Sequence, residues 1–206
     1  MTPTRWWWVR HAPVTETGGR IYGATDPNAD TGDLESFLAL ATLLPQEARW
    51  VTSHLRRTRQ TARSIAAAGR RTISPEVETG LGEQDFGDWH GKSYDELVAS
   101  APAHRFWLAP ATTTPPNGES FADLCDRVTP VIQRLTREWV GEDIIAVAHG
   151  GTIRAALGLA LGLDPETSLK FATENLSVTR IDHYTTTPGH EATWRVVHMN
   201  LVPGLA

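Results

Sequence analysis

The stretch WWWVRHAPV, residues 6 to 14, runs three tryptophans and a valine straight into an arginine–histidine pair. An apolar run with no alternation is the pattern of a strand covered on both faces, as in a parallel sheet. The arrangement returns in DIIAVAHGG, residues 143 to 151, where a β-branched run again stops at a histidine and glycines follow. Two buried strands that end this way deliver His11 and His149 to a common edge.

Outward from these two junctions, strand and helix patterns alternate. LESFLALATLL (34–44) has helical spacing and stops before Pro45, RWVTS (49–53) reads as a strand, and RRTRQTARSIAAAG (56–69) as a helix stopped by Gly69. TISPEVE (72–78) predicts a third strand, and a Gly-punctuated loop runs into a helix near Ser93. Ser120 can cap the clearest helix, whose apolar stripe is Phe121, Leu124, Val128, Val131, Leu135 and Trp139. GTIRAALGLALG (151–162) is a further helix. LSVTRIDHY (176–184) and TWRVVHMN (193–200) read as terminal strands, the first alternating in the half-buried manner. The predicted fold is α/β, a three-layer αβα sandwich with a mostly parallel central sheet. One domain over residues 1–206 is expected, with the Pro/Ala/Thr-rich segment 101–117 as a cap insertion. In such sheets ligands bind at the carboxyl ends of the strands, where Arg10, His11 and His149 lie.

Composition narrows the function. A formal net charge of −5 over 206 residues argues against nucleic acid or an anionic membrane as partner. The single cysteine, Cys125, excludes an internal disulfide and suits a reducing cytoplasm. The four apolar residues between Arg5 and Arg10 are too few for a signal peptide, and no later run is long enough to span a membrane. Neither the P-loop nor the dinucleotide fingerprint is present, and no histidine or cysteine pair has zinc spacing, so no metal and no cofactor is expected. Cys125 lies inside the amphipathic helix, and Ser120 in GESFA lacks the nucleophile-elbow pattern.

What remains is Arg10, His11, Arg57 and His149, with Glu83 in a glycine-flanked loop. Neutral imidazole attacks phosphorus, guanidiniums match pairs of phosphoryl oxygens, and a carboxyl group can protonate a departing oxygen. Asp85 in the same GEQDFGD loop is a rival carboxylate. Tyr22 and Gly23, in the loop after the first strand, are candidate substrate contacts, with a plain turn as the alternative.

VRHAPV, SHLRRTRQTA, LGEQDFGDWHGKSYDEL, PPNGES and VAHGGTIRAAL resemble, in order and spacing, the histidine phosphatase (phosphoglycerate-mutase-like) superfamily. The resemblance implies that His11 is transiently phosphorylated, that Arg10 and Arg57 clamp phosphate, and that His149 is the second phosphate-pocket histidine. It implies Glu83 as the proton donor, and Arg56 and Arg59 as solvated helix residues. Two positions depart from the family pattern. Ala12 stands where glycine is usual; if the backbone there needed positive φ, strain of about 1 kcal/mol would follow. Thr17 stands where asparagine is frequent, and can still donate to phosphate. The implied activity is metal-independent hydrolysis of a small phosphorylated metabolite in the cytoplasm. The loop and PPNGES motifs are more similar to small-molecule phosphatases, including α-ribazole phosphatase, than to mutases. A cofactor-dependent phosphoglycerate mutase and a non-enzymatic binder of phosphorylated ligands are the alternatives. Oligomeric state is left open.

Overall fold

The computed structural model describes residues 2–99 and 104–204. Its strands are β1 (Thr4–Arg10), β2 (Arg49–Thr52), β3 (Glu76–Val77), β4 (Asp143–Ala148), β5 (Val178–Tyr184) and β6 (Thr193–Leu201). Its helices are α1 (Leu34–Leu43), α2 (Arg56–Ala68), α3 (Tyr94–Val98), α4 (Phe121–Glu138), α5 (Gly150–Leu161) and α6 (Pro165–Ser168). The strands form one sheet ordered β3-β2-β4-β1-β5-β6. The β3/β2, β2/β4 and β4/β1 ladders are parallel, while β5 runs antiparallel to both its neighbours.

Successive side chains of a strand point to opposite faces, and the tryptophan run exploits this. Trp6 and Trp8 are fully buried on one face and stack at 4.8 Å between ring centroids. There they join Leu124, Val128 and Ile132 of α4 and Ile153 and Leu157 of α5. The Trp6 indole donates to the Thr136 hydroxyl at 2.9 Å, so its one polar atom is satisfied inside the core. On the other face Val9 packs with Phe37 and Leu40 of α1 and Ala62 and Ile65 of α2. The result is the expected three layers.

Three local expectations need correction. The third strand shrinks to the two residues Glu76–Val77, both exposed, because it lies at the sheet edge with a single partner. β5 does not alternate; it lies between β1 and β6, and the edge strand β6 alternates instead. In α4, Ile132 is buried where Val131 was expected, and Val131 and Trp139 only flank the core. The caps follow their sequence signals: Ser93 and Ser120 each close a capping box, with Glu96 and Asp123.

Register decides where the chemistry goes. Arg10 of β1 pairs with Ala148 of β4, so the next residues, His11 and His149, leave the sheet side by side. β2 runs parallel next to β4, and its exit leads through Ser53 into the first turn of α2, which carries Arg57. Within the expected cap, residues 101–103 lie outside the described residues. Residues 104–117 form bends and turns without regular structure.

Candidate active site

His11 is buried, with its ring 5.2 Å from that of His149. Its Nδ1 donates to the Ala12 carbonyl at 2.7 Å. A carbonyl can only accept, so Nδ1 carries the proton and Nε2 keeps a free lone pair. Burial, reinforced by the Arg57 and Arg10 guanidiniums, holds the His11 pKa well below its ordinary value. His149 is depressed in the same sense, first by burial and then by Arg57, His11 and Arg10. Its Nε2 meets the Ser53 hydroxyl at 2.8 Å, whereas its buried Nδ1 has no partner among the described residues.

Arg57 is fully buried, and donates Nη1 to the Thr25 carbonyl at 2.7 Å and Nη2 to the Gly23 carbonyl at 2.6 Å. Its guanidinium lies 5.0 Å from the Tyr22 ring, and its Nε is buried without an acceptor. Arg10 donates Nη1 to the Thr173 carbonyl and likewise leaves a buried Nε unpaired. Arg10, Arg57 and His149 thus each keep one buried polar atom without a protein partner among the described residues, and all three stand beside His11. Gly23 has φ of +35°, and a Cβ there would stand 2.5 Å from the Gln84 carbonyl, so this turn requires glycine.

Glu83 is held by backbone donors: Gln84 N–H at 3.1 Å and Gly151 N–H, at the start of α5, at 3.2 Å. With Arg10, Tyr22 and Gly23 it lines an open cavity of about 430 Å³ whose walls include Phe86, Phe106 and Trp107. Asp85 does not line that cavity; its carboxylate accepts from Gly87 N–H and is half-exposed. Thr17 is absent from the lining too; its carbonyl closes a turn with Arg20 N–H.

The strain foreseen at Ala12 does not arise. Ala12 is not among the positive-φ residues, and its buried N–H donates to the Thr61 hydroxyl at 2.9 Å. Arg56 is an exposed surface residue paired with Asp26, but Arg59 is half-buried with its Nε enclosed, so it is not freely solvated. Burial raises the Cys125 thiol to about 12, far from a nucleophile's range. Ser120 is spent on capping α4.

Sequence reasoning missed several contributors. Asn175 Nδ2 donates to the His11 carbonyl at 2.7 Å, and Ser53 orients His149. Arg127 bonds the carbonyls of Gly80, Gly82 and Glu83 and pairs with Glu119, which fastens the Glu83 loop to α4. Arg154, inside the quoted VAHGGTIRAAL segment, stands four residues after Gly150 and therefore on the same helix face; that spacing was the available signal. No group of three or more potential metal ligands comes together among the described residues.

A family model described as the histidine phosphatase superfamily (branch 1) matches residues 6–200. The chain belongs to this superfamily. Glucosyl-3-phosphoglycerate phosphatase of Mycolicibacterium vanbaalenii is 36% identical over 166 residues, covering 75% of this chain and 73% of the relative. The solved structure of a mycobacterial protein named hydrolase 2 superposes with a TM-score of 0.84 at 28% identity, over 100% of this chain and 94% of the other. A putative α-ribazole-5′-P phosphatase of Escherichia coli superposes with a TM-score of 0.77 over 97% and 98% of the two chains; at 24% identity it speaks for the fold alone. The protein is thus an enzyme of the histidine phosphatase type. Among the described residues no helix is long and apolar enough to cross a membrane.

Proposed function

We propose that the protein is a metal-independent phosphomonoester hydrolase that works through a phosphohistidine at His11. The observation that carries this reading is the His11 ring: buried, neutral, its proton fixed on Nδ1 by the Ala12 carbonyl, with Nε2 free. Nε2 attacks phosphorus in line and the P–O bond to the leaving group breaks. Glu83 gives its proton to the departing oxygen, then takes one from water. That water attacks phosphorus, the N–P bond breaks, and inorganic phosphate leaves. The unpaired donors of Arg10 and Arg57, with His149 Nδ1, face the charge of the transferring group and supply most of the rate gain by fixed electrostatics.

The substrate is a small phosphorylated metabolite whose leaving group fits the cavity beside Glu83. Arg105 to Leu108 line that cavity, which supports a cap role for this part of the chain. Tyr22 and Gly23 serve the site by backing Arg57, and Thr17 is proposed as a phosphate contact on the sequence resemblance alone. α-Ribazole phosphate and glucosyl-3-phosphoglycerate are the first substrates to test, the former on likeness of fold, the latter on the 36% identical relative. The lone cysteine supports a cytoplasmic setting.

The test is to quench the enzyme during turnover of a ³²P-labelled phosphomonoester and locate the label. An acid-labile, alkali-stable phosphoryl group on His11 is expected, and His11→Ala should lose both label and turnover while remaining folded. Label on another residue, or turnover without His11, overturns the nucleophile. Phosphoryl exchange between the two phosphoglycerates would reveal a mutase, and absence of any turnover a binding protein.

A further inference from the structure

Arg154 is buried, with 8% of its surface exposed, yet it forms no ion pair among the described residues. Its Nε donates to the Phe171 carbonyl at 2.8 Å, and its guanidinium lies 4.6 Å from the centre of the Trp107 ring. Neither terminal amino group has a protein acceptor among the described residues. Glu83 and Glu174 act on it only from a distance, and burial lowers its pKa to about 10, still leaving it charged at neutral pH.

Three unpaired polar groups converge on the point where a side chain on Gly150 would begin. Arg154 Nη1 is 3.0 Å from that point, the Thr173 hydroxyl 3.3 Å and Arg10 Nε 3.6 Å. Both the Thr173 oxygen and Arg10 Nε are enclosed without partners. Arg10 and Trp107 both line the cavity, and Arg154 and Thr173 stand immediately behind that lining. A buried guanidinium with open donors gains charge-assisted hydrogen bonds when an anion is placed opposite it. Arg10 and Arg57 already furnish the phosphoryl group with two guanidiniums.

We propose that Arg154 and the Thr173 hydroxyl bind a carboxylate of the substrate, so that the enzyme prefers phosphomonoesters of small hydroxy acids. This deepens the phosphohydrolase reading and rests on it.

Matched pairs that differ only in the carboxylate test the idea: O-phosphoserine against O-phosphoethanolamine, and 3-phosphoglycerate against glycerol 3-phosphate. In wild type, kcat/KM should favour the acid of each pair by at least about tenfold, one such factor being 1.4 kcal/mol of differential binding. Arg154→Met should bring the ratio close to one, and Thr173→Val should lower it while leaving the guanidinium in place. A wild-type ratio near one overturns the proposal, and so does a ratio that survives Arg154→Met, since Arg154 would then serve the phosphoryl group or the fold. p-Nitrophenyl phosphate turnover and the phosphohistidine label, measured on the same preparations, report separately on the underlying reading. Their absence in wild type would fault the hydrolase itself.

Discussion

Glu83 lines the cavity, where a proton donor is useful, and its side chain is held in place by the Gln84 and Gly151 N–H groups. A general acid matters in proportion to the basicity of the leaving oxygen. Glu83→Gln should slow phosphorylation of His11 by alkyl phosphates about 10²-fold more than by p-nitrophenyl phosphate in single-turnover measurements. Asp85→Asn, whose carboxylate caps a turn outside the cavity, should not; a leaving-group dependence there would move the acid to Asp85. The two site histidines also make stability depend on pH. Both have folded pKa values well below the ordinary 6.5, so the unfolded chain binds protons more readily than the native one. Their contribution is complete above 6.5 and is lost as pH falls below it toward the folded values. Stability read from urea denaturation should therefore fall between pH 7 and 5.5, and His149→Asn should make that slope shallower. An unchanged slope would mean that folding does not lower the His149 pKa.

At the scale of elements, the start of α5 is the most constrained junction in the protein. His149 is its N-cap, Gly150 leaves the space into which Arg154, Thr173 and Arg10 converge, and Gly151 N–H holds Glu83. A Cβ on Gly151 would stand 2.4 Å from Glu83 Oε1, the movable end of a side chain, and 3.1 Å from Leu124 Cδ1. Gly151→Ala is therefore expected to displace the carboxylate rather than the helix. Turnover of alkyl phosphates should fall by about ten- to a hundredfold, while the melting temperature shifts by only a few degrees, since alanine also favours the helix. A large drop in melting temperature with normal activity per folded molecule would contradict this. On the opposite side of the loop, Arg127 and Glu119 fix the backbone around Glu83, so motif residues in PPNGES act on the site without entering it.

For the molecule as a whole, the layers serve the edge. α4 and α5 cover one face and α1 and α2 the other, which leaves the carboxyl ends of β1, β2 and β4 as the place where loops meet. All the charge stabilisation assigned to the reaction comes from arginines and histidines delivered there. Full activity in the presence of excess chelator is accordingly expected; activity lost to chelator and restored by added divalent metal would replace the proposed mechanism.

The sequence by itself determined the α/β class and the exits of β1 and β4, and nominated five candidate site residues, because apolar runs ending in charged residues and the motif spacing are local signals. Burial of Trp6 and Trp8 follows from the same local pattern. Only the tertiary structure decided what depends on contacts between distant segments. Glu83 rather than Asp85 faces the cavity because Gly151, far along the chain, donates to it. Ala12 is unstrained because its φ is not positive, and its buried N–H is satisfied by Thr61 of α2. Helical spacing puts Arg154 on the Gly150 face of α5, but its placement against Trp107 and Arg10 depends on segments far apart in the chain and was decided only by the tertiary structure.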